Sequence, residues 1–211
     1  MPSSALHIVP SWGIMGAMKR AAPAQAGEAA PVCVHCHQRG TGCCRLADGD
    51  TSGMFGLTRG EVETISRASG LEPEEFTVRD QAPPEFLAQA ARLHPVFLQT
   101  MPGGRRIRLK VDPAGACCFL GPQGCRLPEP VRPLYCRLYP IWFTPEGRLM
   151  VMLSDRCLAQ EGAHSWREVL ARLGVEEEPL RELFAQLLAL AADHLRAEGK
   201  AAGLGPARGA G

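Results

Sequence analysis

Apolar residues recur at helical spacing in four stretches of this chain and alternate at strand spacing in others. Val62, Ile65 and Ala68 recur at steps of three and form one helical face. Thr58 and Glu61 frame a capping box at its start, and Gly70 closes it. Pro84 opens a second helix through Leu87, Ala90 and Ala91 to Leu93. Ser165 with Glu168 starts a third, carrying Trp166, Val169, Leu170 and Leu173 and ending at Gly174. The longest begins at Pro179, with Leu180, Phe184, Leu187, Leu188, Ala191 and Leu195 on one face. That stripe reads as core rather than as a docking surface. Ile107, Leu109 and Val111 alternate with Arg106, Arg108 and Lys110, which predicts a half-buried strand with a solvated basic outer face. A turn at Asp112–Gly115 would let Ala116 to Leu120 return beside it. Ile141–Thr144 and Arg148–Leu153 predict a hairpin around Pro145-Glu146-Gly147, and Pro130 to Leu138 one or two helical turns.

These elements predict a small α+β fold. A loop-rich cysteine-cluster domain with short β-hairpins and helices spans residues 32–158, and a C-terminal helical segment, 159–198, packs on it. Residues 1–31 lack any period and are rich in Ala, Gly and Pro, so they read as a disordered tail, as do residues 199–211. Met18-Lys19-Arg20 would make as good a beginning as Met1. There is no internal repeat.

Charge narrows the function classes. With 23 basic and 22 acidic residues the net charge is +1, which argues against a nucleic-acid binder. No run of about 18 apolar residues exists, so no membrane span is expected. No Lys or Arg precedes the apolar part of the N-terminus, unlike a secretory signal. The expected compartment is the cytoplasm, where structural disulfides are rare.

The candidate chemistry lies in the cysteines. Nine are present, an odd number for a disulfide framework, and eight form one pattern: Cys33-x2-Cys36-x6-Cys43-Cys44, Cys118-x6-Cys125-x10-Cys136 and Cys157. A C-x2-C pair is half of a typical zinc or iron–sulfur site, and here it should form a loop or knuckle. Successive side chains in an extended segment point to opposite faces. Cys43 and Cys44 therefore suit two neighbouring centres, or one polynuclear cluster, better than one ion. Cys117 and Cys118 should likewise face opposite ways, so only one would join Cys125. Arg45, Arg126, Arg137 and Arg156 each adjoin a cysteine, where guanidinium groups would offset thiolate charge. His35 and His37 lie among the first cysteines as substitute ligands, although a solvated role is commoner. His7, His94, His164 and His194 are scattered and read as structural or exposed. There is no dinucleotide-binding glycine motif, no phosphate-binding loop and no CxxxCxxC triplet. Short strands and loops of this kind would draw folding energy from the metal.

The order Cys33-x2-Cys36, Cys43-Cys44, Cys118-Phe119-Leu120, Gly124-Cys125-Arg126-Leu127, Arg132-Pro133-Leu134-Tyr135-Cys136-Arg137-Leu138-Tyr139-Pro140 and Cys157 resembles the YkgJ-family cysteine-cluster proteins. The likeness covers residues 33–157, and its most distinctive piece is RPxxCRxxP. It implies chelation of zinc or iron, including iron–sulfur centres, by eight cysteines, with no settled biochemical role. A flagellin lysine N-methylase is similar in its cysteine cluster, so an iron–sulfur enzyme for protein methylation or redox work is the alternative. A protein partner is compatible with either. The family's cysteine directly before Phe-Leu corresponds to Cys118, leaving Cys117 as a spare apolar residue. One departure stands out. The family opens CxxCxxCC, whereas here His37-Gln38-Arg39-Gly40-Thr41-Gly42 separates Cys36 from Cys43.

Overall fold

The computed structural model describes residues 8–9, 32–40, 42–93, 98 and 101–202. Almost all of the two presumed tails lies outside the described residues. In chain order the elements are β1 (Ile8–Val9), α1 (Val32–Gln38), α2 (Arg59–Ser69), α3 (Pro73–Phe76), β2 (Thr77–Gln81) and α4 (Pro84–Leu93). There follow β3 (Arg105–Leu109), β4 (Leu120–Gly121), β5 (Gly124–Cys125), α5 (Leu134–Leu138), β6 (Ile141–Phe143), β7 (Leu149–Met152), α6 (Trp166–Leu173) and α7 (Glu177–Ala202). The fold is α+β, with small antiparallel sheets and a long C-terminal helix.

Local signals place several elements as expected. The Thr58 hydroxyl accepts the Glu61 amide, and the Glu61 carboxylate accepts the Thr58 amide at 2.8 Å, completing the box that starts α2. Gly70 ends that helix at φ +71, in the left-handed region where a Cβ is costly. Ser165 caps α6 by accepting the Glu168 amide. The β6–β7 hairpin forms with Trp142 opposite Met150 and Phe143 opposite Leu149, and β1 pairs along β7 at Ile8–Met152. Helix α7 starts before Pro179, at Glu177, and continues through residues 199–202.

Two apolar cores result. The larger gathers α4, α5, β6, β7, α6 and α7 around Trp142, Phe143, Ile141 and Leu138, all at most 1 % exposed. Burying each such side chain contributes roughly 1.5–3 kcal/mol. Phe55 lies against both Phe86 and Trp142, with ring centroids 5.1 and 5.0 Å apart. The smaller core joins α2, α3 and β3 through Val62, Ile65, Phe76, Leu109, Phe119 and Leu127.

Four expectations are corrected. The first cysteine segment is helical rather than a knuckle: α1 contains both Cys33 and Cys36. Ala68 is exposed, and the buried face of α2 includes Glu61 instead. The basic face of β3 is not solvated. Its main partner is β2, in register from Thr77–Leu109 to Gln81–Arg105, and the Arg106 side chain is 1 % exposed. Its buried guanidinium donates to Asp80 Oδ1 and to the carbonyls of Thr51, Ser52 and Met54, so its polar hydrogens are satisfied. The return of residues 116–120 is limited to one bridge, between Val111 and Cys117.

Candidate metal centre

The backbone brings distant cysteines together in two places. After α1, Gly40 turns the chain at φ +71, and the Arg45 amide donates to the Gly42 carbonyl, so Cys43 and Cys44 sit in a tight turn. From there the chain pairs with residues 115–117. The Cys117 amide donates to the Cys44 carbonyl at 2.8 Å, the Leu46 amide donates to the Gly115 carbonyl at 2.8 Å, and Arg45 and Ala116 form the bridge between them. In that antiparallel register Cys44 and Cys117 stand directly opposite each other. Gly115 (φ +78) is required at this crossing, because a Cβ there would press on the Leu46 carbonyl. The second place is at α1. Cys36 is buried and its Sγ donates to the Arg156 carbonyl at 3.7 Å, next to Cys157. Arg156 in turn donates to the Gly40 carbonyl at 3.5 Å. Cys33 also lies in α1, but its side chain is not among those described.

The electrostatics divide along the same line. A hydrogen bond from Cys43 lowers the Cys44 thiol to about 7, against the effect of burial and with help from Arg132. Burial raises the Cys125 thiol, and the charge at Cys44 adds to it. Cys136 keeps an exposed edge, yet the protein packed behind it pushes its thiol up, and Cys44, Cys125 and Glu61 push the same way. Cys117 is raised by its hydrogen bond to Cys118, by burial and by the charges of Cys118 and Cys44. Cys118 takes the charge of that vicinal pair and falls to about 7; its Sγ lies 3.6 Å from the Phe76 carbonyl. On the other side, burial raises Cys157, and Cys36 adds to the effect. Burial carries Tyr139 to about 12, and the charges of Cys157, Cys43 and Cys36 all act on it in the same direction. Tyr135 lies between the groups: burial raises it first, and both Cys136 and Cys43 contribute.

Of the arginines singled out by adjacency, Arg126 donates to the Cys118 carbonyl at 2.7 Å and Arg137 to Glu129 at 2.6 Å. The guanidinium that acts on Cys44, Cys125 and Cys136 together is Arg132, which adjoins no cysteine. Its signal was the RPxxCRxxP segment it opens, read there for the cysteine alone. His37 is committed to the Pro122 carbonyl at 3.0 Å through Nε2, which ties α1 to the β4–β5 turn. His35 and His164 are exposed, and His7 and His94 fall outside the described residues.

The donor set suits a soft or borderline metal ion: clustered thiols with a guanidinium among them. Among the described residues, no three His, Cys, Asp or Glu side chains are already drawn to one point, and no cysteine is in a disulfide. A cavity of about 20 Å³ beside Phe55, Tyr135 and Leu187 has room for a water molecule. Among the described residues no helix is long and apolar enough to cross a membrane. Comparison with protein-family models, curated proteins and solved structures gave no match.

Proposed function

We propose that this chain is a metal-binding protein that holds zinc or iron through its cysteine thiolates, a cysteine-cluster protein of the YkgJ kind working in a reducing cytoplasm. The observation that carries this reading is that the backbone sets Cys44 opposite Cys117 and brings the Cys36 thiol to the Arg156 carbonyl beside Cys157, so cysteines far apart in sequence become neighbours. Disulfides explain the set less well, because vicinal thiols and an odd count leave cysteines over. Cys33, Cys36, Cys43, Cys157 and Cys118 belong to the proposed ligand set on the sequence pattern. The lowered thiol at Cys44 supports it, since a thiolate is the form that ligates.

The test is elemental analysis of the protein purified without oxygen, with its thiols assayed in the same sample. Stoichiometric zinc or iron is the expected result. A brown iron-loaded protein would assign an iron–sulfur centre and open the enzymatic reading; a colourless zinc protein would assign the binding module. A fully reduced, folded chain that takes up neither metal overturns the proposal.

A further inference from the structure

Strand β7 has two neighbours, and they hold it unequally. On one side β6 runs opposite Leu149, Met150 and Val151. The Met152 amide donates to the Pro140 carbonyl at 2.8 Å and the Thr144 amide to the Arg148 carbonyl at 2.9 Å, which sets the phase of that ladder. Directly opposed residues of an antiparallel pair alternate between those that exchange hydrogen bonds and those that do not. Met150 and Met152 therefore direct their backbone groups to β6, and Leu149 and Val151 turn theirs to the outer edge. At that edge stands β1, two residues long, with Val9 opposite Val151 and Ile8 opposite Met152. By the same alternation, Val9 and Val151 are the pair that exchanges hydrogen bonds. Among the described residues, no strand lies beside Leu149 on this side. The sequence puts Pro10 directly after Val9, and proline is confined to the margins of a ladder because it has no N–H. Side chains open along the same row of β7: Leu149 is buried, Val151 half-buried, and Leu153, just past the strand, 42 % exposed. Fixing the backbone of two residues costs free energy of the same order as the hydrogen bonds they return. Residues 10–31 also separate β1 from α1, and closing so long a connection adds to the entropy lost. β1 is thus a weak occupant of an edge that offers more pairing than it uses.

We propose that the outer edge of β7 is a docking site for an extended segment of a partner protein, and that Ile8–Val9 holds the place until that segment displaces it. The partner binds by strand addition, in which main-chain hydrogen bonds give affinity and alternate side chains give specificity. The segment that fits is about four residues or more, uncharged and free of proline, with a β-branched aliphatic residue opposite Val151 as Val9 now is. Its greater length adds the backbone groups of Leu149 to those of Val151, which is what lets it win over β1. The site is independent of the cysteines.

The experiment uses the whole chain, as wild type and as Val9→Pro, which removes the N–H that β1 offers to Val151. The probe is a fluorescent peptide that copies residues 3–9 and continues with Thr-Val-Thr in place of Pro10. Its anisotropy should show binding to Val9→Pro about tenfold tighter than to wild type, the factor expected when the native strand fills the edge nine times in ten. The same peptide with proline in the position of Val9 should not bind. Hydrogen exchange on the wild type gives a second reading that does not depend on the variant. At saturating peptide, the amide of Val9 should exchange faster while that of Val151 stays protected. No binding to a Val9→Pro chain that keeps the near-ultraviolet signal of Trp142, equal affinity for both chains, or unchanged exchange at Val9 overturns the proposal. Wild-type dimers that form with rising concentration and are lost in Val9→Pro also overturn it, by assigning the edge to a second copy of this chain.

Discussion

Arg132 and Glu61 show how much one side chain decides here. Arg132 acts on three thiols and also donates to the Leu127 carbonyl at 3.0 Å, which fixes its stem. Replacing it with Gln should weaken metal retention by about 10–100-fold, the usual consequence of losing a group that supports the ligands. Arg137→Ala should change retention little, because Arg137 is occupied by Glu129. Competition with a chelating dye measures both, and equal affinities for wild type and Arg132→Gln would remove the role. Glu61 is legible from sequence only in part. The spacing to Thr58 announces a cap, but not that Glu61 Oε1 also accepts the Leu134 amide at 2.9 Å, 73 residues away. That bond holds the start of α5, two residues before Cys136. Glu61→Ala leaves the Leu134 and Thr58 amides without their acceptor in a buried setting, a cost of about 1–3 kcal/mol. Chemical denaturation should show it; an unchanged midpoint contradicts it.

At the level of elements, capped helices and tight hairpins could be read directly, because a cap or a turn residue acts within four positions of itself. The pairing of β2 with β3 could not. Thr77–Gln81 alternates weakly, and the arginines of β3 imply a wet face unless their acceptors are known. Those acceptors are carbonyls at residues 51, 52 and 54 and the carboxylate of Asp80, all distant in sequence. Helix α1 escaped for another reason: cysteine spacing suggests a knuckle as readily as a turn of helix. The Asp80 contact predicts an acid response. Burial alone would raise its carboxyl, but Arg106 and Arg108 outweigh that and hold it below the ordinary value. A carboxyl depressed in the folded state favours folding above its unfolded value of about 4, and the benefit fades as pH falls through the lower folded value. Asp80→Asn should therefore lose stability at neutral pH and show a shallower decline on acidification. Parallel acid profiles of the two proteins would refute this.

For the whole molecule, the larger core is aromatic and closed by α7, and it makes little use of thiols beyond Cys157 at its margin. Sequence reasoning expects residues 33–157 to depend on metal as a unit. The packing divides that expectation. On chelation, Trp142 and its neighbours should keep their near-ultraviolet signal, while the turn at Cys43–Cys44 and the β4–β5 turn loosen. Hydrogen exchange mapped by segment checks this; uniform loss of protection across β6, β7 and α7 would contradict it. The segment from Cys36 to Leu46 has a further consequence. It is fastened to the larger core at Arg156 and to the smaller one at Gly115 and Cys117, with only a few residues between. It works as a strap across two blocks that otherwise have their own reasons to stay folded. Buckled at both ends, it would make the blocks melt as one. Unbuckled, it would leave their coupling to bonds such as that from the Leu134 amide to Glu61, so the breadth of the melting curve would report whether the strap is closed.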